Sequence, residues 1–166
     1  QKAGIDEDTT VVLYGDKNNW FAAWGAWIFN VYGQKDVRVL DGGRVKWEKD
    51  GRALTTAVPT FKAGNFVAKA ADKNLRATLT RDVLPVAKKE RKATLIDIRS
   101  ADEFSGKIFA PPGFQETAVR AGHIPGAINV PWGLNVNSDG TFKTVAELKK
   151  LYADKGVTGA DQIITY

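Results

Sequence analysis

ATLIDIRS, residues 93–100, packs a strand, a turn and a pair of opposite charges into one short stretch. Thr94 to Ile98 is a largely apolar run rich in β-branched residues, which predicts a buried strand of the kind found in a parallel sheet. Ser100-Ala101-Asp102-Glu103 fits a capping box, so a helix or helical turn starts there. Asp97 and Arg99 then fall at the carboxyl end of the strand, where open α/β sheets bind their ligands. An Arg at that place can grip a tetrahedral oxyanion through two parallel N–H contacts. It can equally bridge to Asp97 or Glu103 as a structural pair, and the spacing leaves both readings open.

The same grammar runs upstream. Val11-Val12-Leu13-Tyr14 is a continuous apolar run, predicting a strand buried on both faces. Gly15 to Asn18 form a polar loop, and Asn18 or Asn19 can cap the helix that follows. Trp20, Ala23, Trp24, Trp27, Ile28 and Val31 recur at helical spacing and read as a core-facing stripe, a pocket lining being the alternative. Gly33 supplies the stop. DVRVLDGG predicts a second strand with a Gly-Gly turn, and RVKWEKDG a short helix closed by Gly51. Strand, helix, strand, helix is the rhythm of an α/β domain.

Downstream, residues Thr55 to about Asn74 lose periodicity and read as a surface linker. Thr80 is the expected N-cap of a helix through RDVLPVAKKE, with Pro85 bending it. GKIFAPPGFQETAVRAGHIPGA reads as a long loop, and INVP as a short strand. Thr144 to Glu147 form a second capping box, opening a helix that ends near Lys155 with Gly156 beyond. The final strand begins at Gln162 in the closing ADQIITY.

An internal repeat links the two halves. Gly4-Ile5 precedes Tyr14 as Gly156-Val157 precedes Tyr166, and the segments align without a gap at an offset of 152. That implies two copies of one unit, with the chain starting late in the first and ending part-way through the second.

Composition narrows the classes. The 166 residues are 43% hydrophobic, enough for one ordinary core or parts of two. The apolar stretch from Trp20 to Tyr32 is far short of the roughly 20 residues a membrane span needs. Net charge is +5, but the Lys and Arg residues are scattered among 19 acidic ones, and no basic run interleaves with aromatics. The expectation is no nucleic acid and no membrane, with a mild attraction for small anions. Absence of Cys and a single His exclude disulfides, thiolate–metal sites and multi-His metal sites within these residues. There is no Met, so Gln1 does not read as a translation start. His123 could act as a general acid or base, but GHIPGA reads more simply as a tight turn. LDGGRVKW lacks the full glycine pattern of a dinucleotide loop.

LIDIRSADEFSGKI, AGHIPGAINVPW, DGTFKTVAELKKLY and LYGDKNNWFAAW with VRVLDGGRVKW together resemble the two-domain thiosulfate sulfurtransferases, or rhodaneses. The resemblance covers nearly the whole chain. It implies parts of two tandem α/β domains, each a central parallel sheet flanked by helices. Residues 1–55 would be the second half of an inactive N-terminal domain, 56–75 a linker, and 76–166 the first half of the catalytic domain. The implied nucleophile is a Cys directly after Tyr166, so no catalytic residue lies in this chain. In the first copy Gly15 occupies the equivalent place. Arg99 matches a substrate-contacting Arg of the family, with Asp97 and Ser100 in supporting roles.

The implied activity moves sulfur from thiosulfate to cyanide or a thiol through a cysteine persulfide, with no metal or organic cofactor. The implied partners are thiosulfate, a thiophilic acceptor and the remainder of the same protein. The alternatives are a 3-mercaptopyruvate sulfurtransferase and a non-catalytic module that binds an anion or a partner. A reactive thiol points to the cytoplasm. The 166 residues by themselves are expected to be inactive.

Overall fold

The computed structural model describes residues 2–114, 118–159 and 161–166. Gln115 to Thr117 of the long loop and Ala160 of the closing segment lie outside the described residues. The chain folds as two compact units, one of Gln1–Arg76 with Val136–Phe142, the other of Ala77–Asn135 with Lys143–Tyr166.

In the first unit β1 (Val11–Leu13) pairs in parallel with β2 (Val37–Val39), joined by helix α1 (Trp20–Val31). Helix α2 (Gly43–Lys49) follows β2. Helix α1 ends as its Gly predicts: Gly33 adopts φ 89°, and Gln34 N–H returns to Phe29 O. Its orientation differs from the expected one. Ala22, Ala26 and Val31 are buried, whereas Trp24 is 61% and Phe21 75% exposed. The reason is the close approach of helix to sheet. A Cβ on Gly25 would stand 3.3 Å from Leu13 Cδ2, so only the small-residue face of α1 fits there. The aromatic stripe turns away, and Trp27 Nε1 donates to Leu75 O. Likewise β1 is not buried on both faces, since Val12 and Tyr14 are exposed.

Residues 56–75 carry no helix or strand but lie against this unit through their backbone. Phe66 N–H bonds to Ile5 O, Lys69 N–H to Tyr32 O and Asp72 N–H to Val31 O. A late segment completes the unit. Val136 and Phe142 form an antiparallel bridge, and Phe142 N–H donates to Asp41 Oδ1 at 2.8 Å.

The second unit opens with a wide turn over Leu79–Val83, leading into α3 (Leu84–Ala87). The cap is Thr78 rather than Thr80. Val83 N–H reaches Thr78 O, and the helical start shifts because Pro85, near the beginning of α3, has no N–H to offer the preceding turn. Strand β3 (Thr94–Asp97) is central in a parallel sheet of order β4-β3-β5, with β4 Ile128–Asn129 and β5 Ile163–Thr165. Leu95, Ile96 and Asp97 are all buried, as the sequence of β3 predicts. Ile96, Val130 and Val157 form the core, with Ile98, Ile128, Leu151 and Tyr152 packed on it. Both capping boxes form: Ser100 with Glu103 starts α4 (Ala101–Phe104), and Thr144 with Glu147 starts α5 (Val145–Asp154). Strands β1 and β5 stand 152 residues apart, and Gly4 and Gly156, also 152 apart, both adopt positive φ.

Candidate functional site

Parallel pairing of β3 with β4 and β5 aligns three strand ends on one side of the sheet. Asp97 closes β3 and is fully buried. A buried carboxylate needs partners, and Asp97 has them in its own chain neighbour. Arg99 donates from Nε to Oδ1 at 3.1 Å and from Nη2 to Oδ2 at 2.6 Å, while its backbone N–H donates to Oδ1 at 2.9 Å. Arg99 Nη2 also donates to Gly122 O at 2.7 Å. The Asp97 hydrogen bonds hold the Arg99 guanidinium above its ordinary pKa.

The spacing leaves Arg99 open between a structural bridge and an anion contact, and the structure forms the bridge to Asp97. Nε and Nη2 are committed to Asp97 and Gly122. Nη1 makes no hydrogen bond among the described residues, and the side chain is 30% exposed. A rigidly held guanidinium with one free edge can bind a small anion with little entropy cost.

Ser100 is turned the other way. Its Oγ donates to Glu103 Oε2 at 2.7 Å and accepts Glu103 N–H at 3.3 Å, so it starts α4 and fixes the turn after Arg99. Glu103 is thereby spent on the cap. His123 stacks on Phe104 with ring centroids 3.6 Å apart and planes 11° apart. Its Nδ1 lies 2.7 Å from Phe104 O, a bond that requires the proton on Nδ1. This ties the Gly122–Gly126 turn to α4.

Two side chains from further along the chain hold this strand end: Asn129, which the sequence reading does not single out, and Tyr166, which it reads only as the residue before the implied nucleophile. Asn129 Nδ2 donates to Asp97 O and Arg99 O, pinning the end of β3. A single Asn closing a short apolar strand was the available signal. Tyr166 sits at the end of β5, where Ile98 N–H donates to its backbone O at 3.1 Å and its hydroxyl accepts Ile124 N–H at 3.1 Å. Burial raises its phenol pKa, against the Ile124 N–H, and nearby Asp97 adds to the rise.

The corresponding loop of the first unit is built differently. Gly15 follows β1 and Tyr14, and Lys17, Asn18 and Asn19 all adopt positive φ. Asn19 is 1% exposed and fills the loop from within. It accepts Gly15 N–H at 2.9 Å and donates to Leu40 O, rather than capping α1. A Cβ on Gly43 would fall 2.4 Å from Gly15 O, so the loop is closed by direct backbone packing.

Comparison with known proteins places this geometry in a family. The family model described as Rhodanese-like domain matches residues 1–50 and 82–166. The chain is 48% identical to the sulfur carrier protein TtuD of Thermus thermophilus, covering all of this chain and 59% of that protein. It is 48% identical to a protein of Haloferax volcanii named "Putative thiosulfate sulfurtransferase", over 98% of this chain and 56% of the other. Among solved structures, the 3-mercaptopyruvate enzyme SseA of Escherichia coli superposes with a TM-score of 0.83 at 29% identity. That match spans 99% of this chain and 58% of SseA. The chain thus spans little more than half the length of the curated relatives it matches.

Proposed function

The chain belongs to the rhodanese family, and from that premise we propose that the intact protein is a sulfurtransferase acting on thiosulfate. The observation that carries the reading is the free Nη1 edge of Arg99 at the end of β3, adjacent to the end of β5 at Tyr166. In this reading residues 1–55 are the second half of a non-catalytic first domain, 56–75 a linker and 76–166 the first half of the catalytic domain. The nucleophilic Cys follows Tyr166 in the intact protein. Arg99 binds the sulfonate end of the donor, while Asp97 and Ser100 hold Arg99 and its turn in place.

The chemistry is a two-step covalent exchange. The thiolate attacks the outer sulfur of thiosulfate, the S–S bond breaks, and sulfite leaves with the electron pair. The enzyme keeps a persulfide. A nucleophilic acceptor, cyanide or a thiol, then bonds the outer sulfur and the thiolate is released. Neither step requires a metal or organic cofactor. Among the described residues no helix is long and apolar enough to cross a membrane. We assign the protein to the cytoplasm because a catalytic thiol is preserved in a reducing compartment.

A second reading, a 3-mercaptopyruvate donor, is favoured by the likeness to SseA. Initial rates of the intact protein with each donor separate them. A faster turnover of thiosulfate supports the first reading, and a preference for mercaptopyruvate overturns it in favour of the second. If neither donor loads a sulfur atom onto the protein, as read by intact mass, the module is a non-catalytic binder. The Gln1–Tyr166 polypeptide, which has no Cys, is expected to transfer no sulfur with either donor.

A further inference from the structure

We propose that Tyr166 is a positioning residue of this site. Its phenol oxygen and the Arg99 guanidinium grip the turn at Gly122–Ile124 at neighbouring points, and that grip aims the free edge of Arg99 at the anionic end of the sulfur donor. This role rests on the sulfurtransferase reading above.

The grip has a fixed frame and a defined load. Tyr166 N–H donates to Ile96 O at 3.0 Å and Ile98 N–H donates to Tyr166 O, so the backbone of Tyr166 is registered to β3 on both sides of Asp97. From that frame the ring reaches the turn, where its oxygen accepts Ile124 N–H. Two residues earlier, Gly122 O accepts from Arg99 Nη2 at 2.7 Å. Between them His123 is anchored to Phe104 by stacking and by its ring nitrogen. Three successive residues of the turn are therefore tied to three different elements: the end of β3, α4 and the end of β5.

Removing one tie has a directional effect on Arg99. The Ile124 N–H is part-buried and would be left without an acceptor, so the turn would shift to find one. Gly122 O would move with it, and Arg99 Nη2 would follow or lose its second contact. Asp97 limits that motion but does not fix the tilt of the guanidinium plane by itself. A phenylalanine at 166 would fill the same space and leave the Ile124 N–H without its acceptor.

The test uses the intact protein and thiosulfate. Tyr166→Phe should raise the KM for thiosulfate roughly five- to ten-fold, the scale of one lost hydrogen bond, with kcat changed less than about twofold. Arg99→Lys should raise KM on its own, and adding Tyr166→Phe to it should bring little further rise, because both act through the same guanidinium. Unchanged KM in Tyr166→Phe, or fully multiplicative effects in the double variant, overturns the role. Should Tyr166→Phe not fold, a fluorinated tyrosine at 166 keeps the ring and weakens the acceptor, and absence of any KM rise there overturns the role too. Absence of a wild-type rate with thiosulfate overturns the sulfurtransferase reading and this role together. A normal wild-type rate with an unaffected variant overturns this role alone.

Discussion

Asp97, with no exposed surface, is neutralised by Arg99 through two parallel side-chain hydrogen bonds and a third from the Arg99 backbone. The pair is asymmetric. Asp97 is wholly inside, whereas the Arg99 side chain is 30% exposed. Removing the cation therefore strands a buried carboxylate, while removing the carboxylate leaves a cation that can reach water.

Arg99→Ala should accordingly destabilise the chain by about 3 kcal/mol, towards the lower end for a broken buried pair because Arg99 is partly solvated. Asp97→Asn, which keeps a hydrogen-bonding side chain and removes the charge, should cost clearly less. Urea unfolding midpoints of the two variants at neutral pH check the order. Equal losses would sink the argument.

Asn19 provides the second prediction. Its amide satisfies Gly15 N–H and Leu40 O inside the first-unit loop, and its φ is 60°. Asn19→Ala orphans both backbone groups and places Ala in a left-handed conformation that Asn tolerates better. A loss of about 2–3 kcal/mol is expected. Asn19→Asp should also destabilise, since a carboxylate can still accept from Gly15 but meets the Leu40 carbonyl with a second acceptor. If Asn19→Ala melts with the wild type, the side chain is not the plug of this loop.

Helix α1 shows where sequence reading succeeds and where it stops. Period, length and the Gly33 stop were legible, because they depend on residues near in the chain. Which face packs on the sheet was not, because that depends on how closely Leu13 approaches, and Gly25 with its small neighbours allows the approach. The same division holds at the site. Asp97, Arg99 and the Ser100 cap lie within a few residues of one another and could be read together. Asn129 and Tyr166 reach the same spot from 30 and 67 residues beyond Arg99, and only the parallel register of β3 with β4 and β5 brings them there. The face of α1 is testable. Trp24→Gln should change the stability of the chain by less than about 0.5 kcal/mol, whereas Ala26→Leu should cost roughly 1–3 kcal/mol by overpacking. Thermal melts that reverse this order would put the aromatic stripe back in the core.

Asp82 sets an acid limit on the second unit. Its side chain is 8% exposed and paired with Arg81 at 2.7 Å and Arg91 at 3.2 Å, and it accepts Thr78 N–H at 2.7 Å. Arg81 first, then Thr78 and Arg91, hold its pKa well below the usual carboxylate value. A depressed folded-state pKa contributes stability that is present above the unfolded value, about 4, and is lost as pH falls from there through the folded value. Asp82→Asn lacks that contribution at every pH. The stability gap between wild type and Asp82→Asn should therefore be widest at neutral pH, hold down to about pH 5, and narrow steadily below pH 4. Urea midpoints of both proteins at matched pH values measure it, and the comparison cancels the other acidic groups. A gap that stays constant down to pH 2.5 would show that Asp82 acts through shape alone, because its charge would then contribute nothing to holding the Thr78–Arg91 region together.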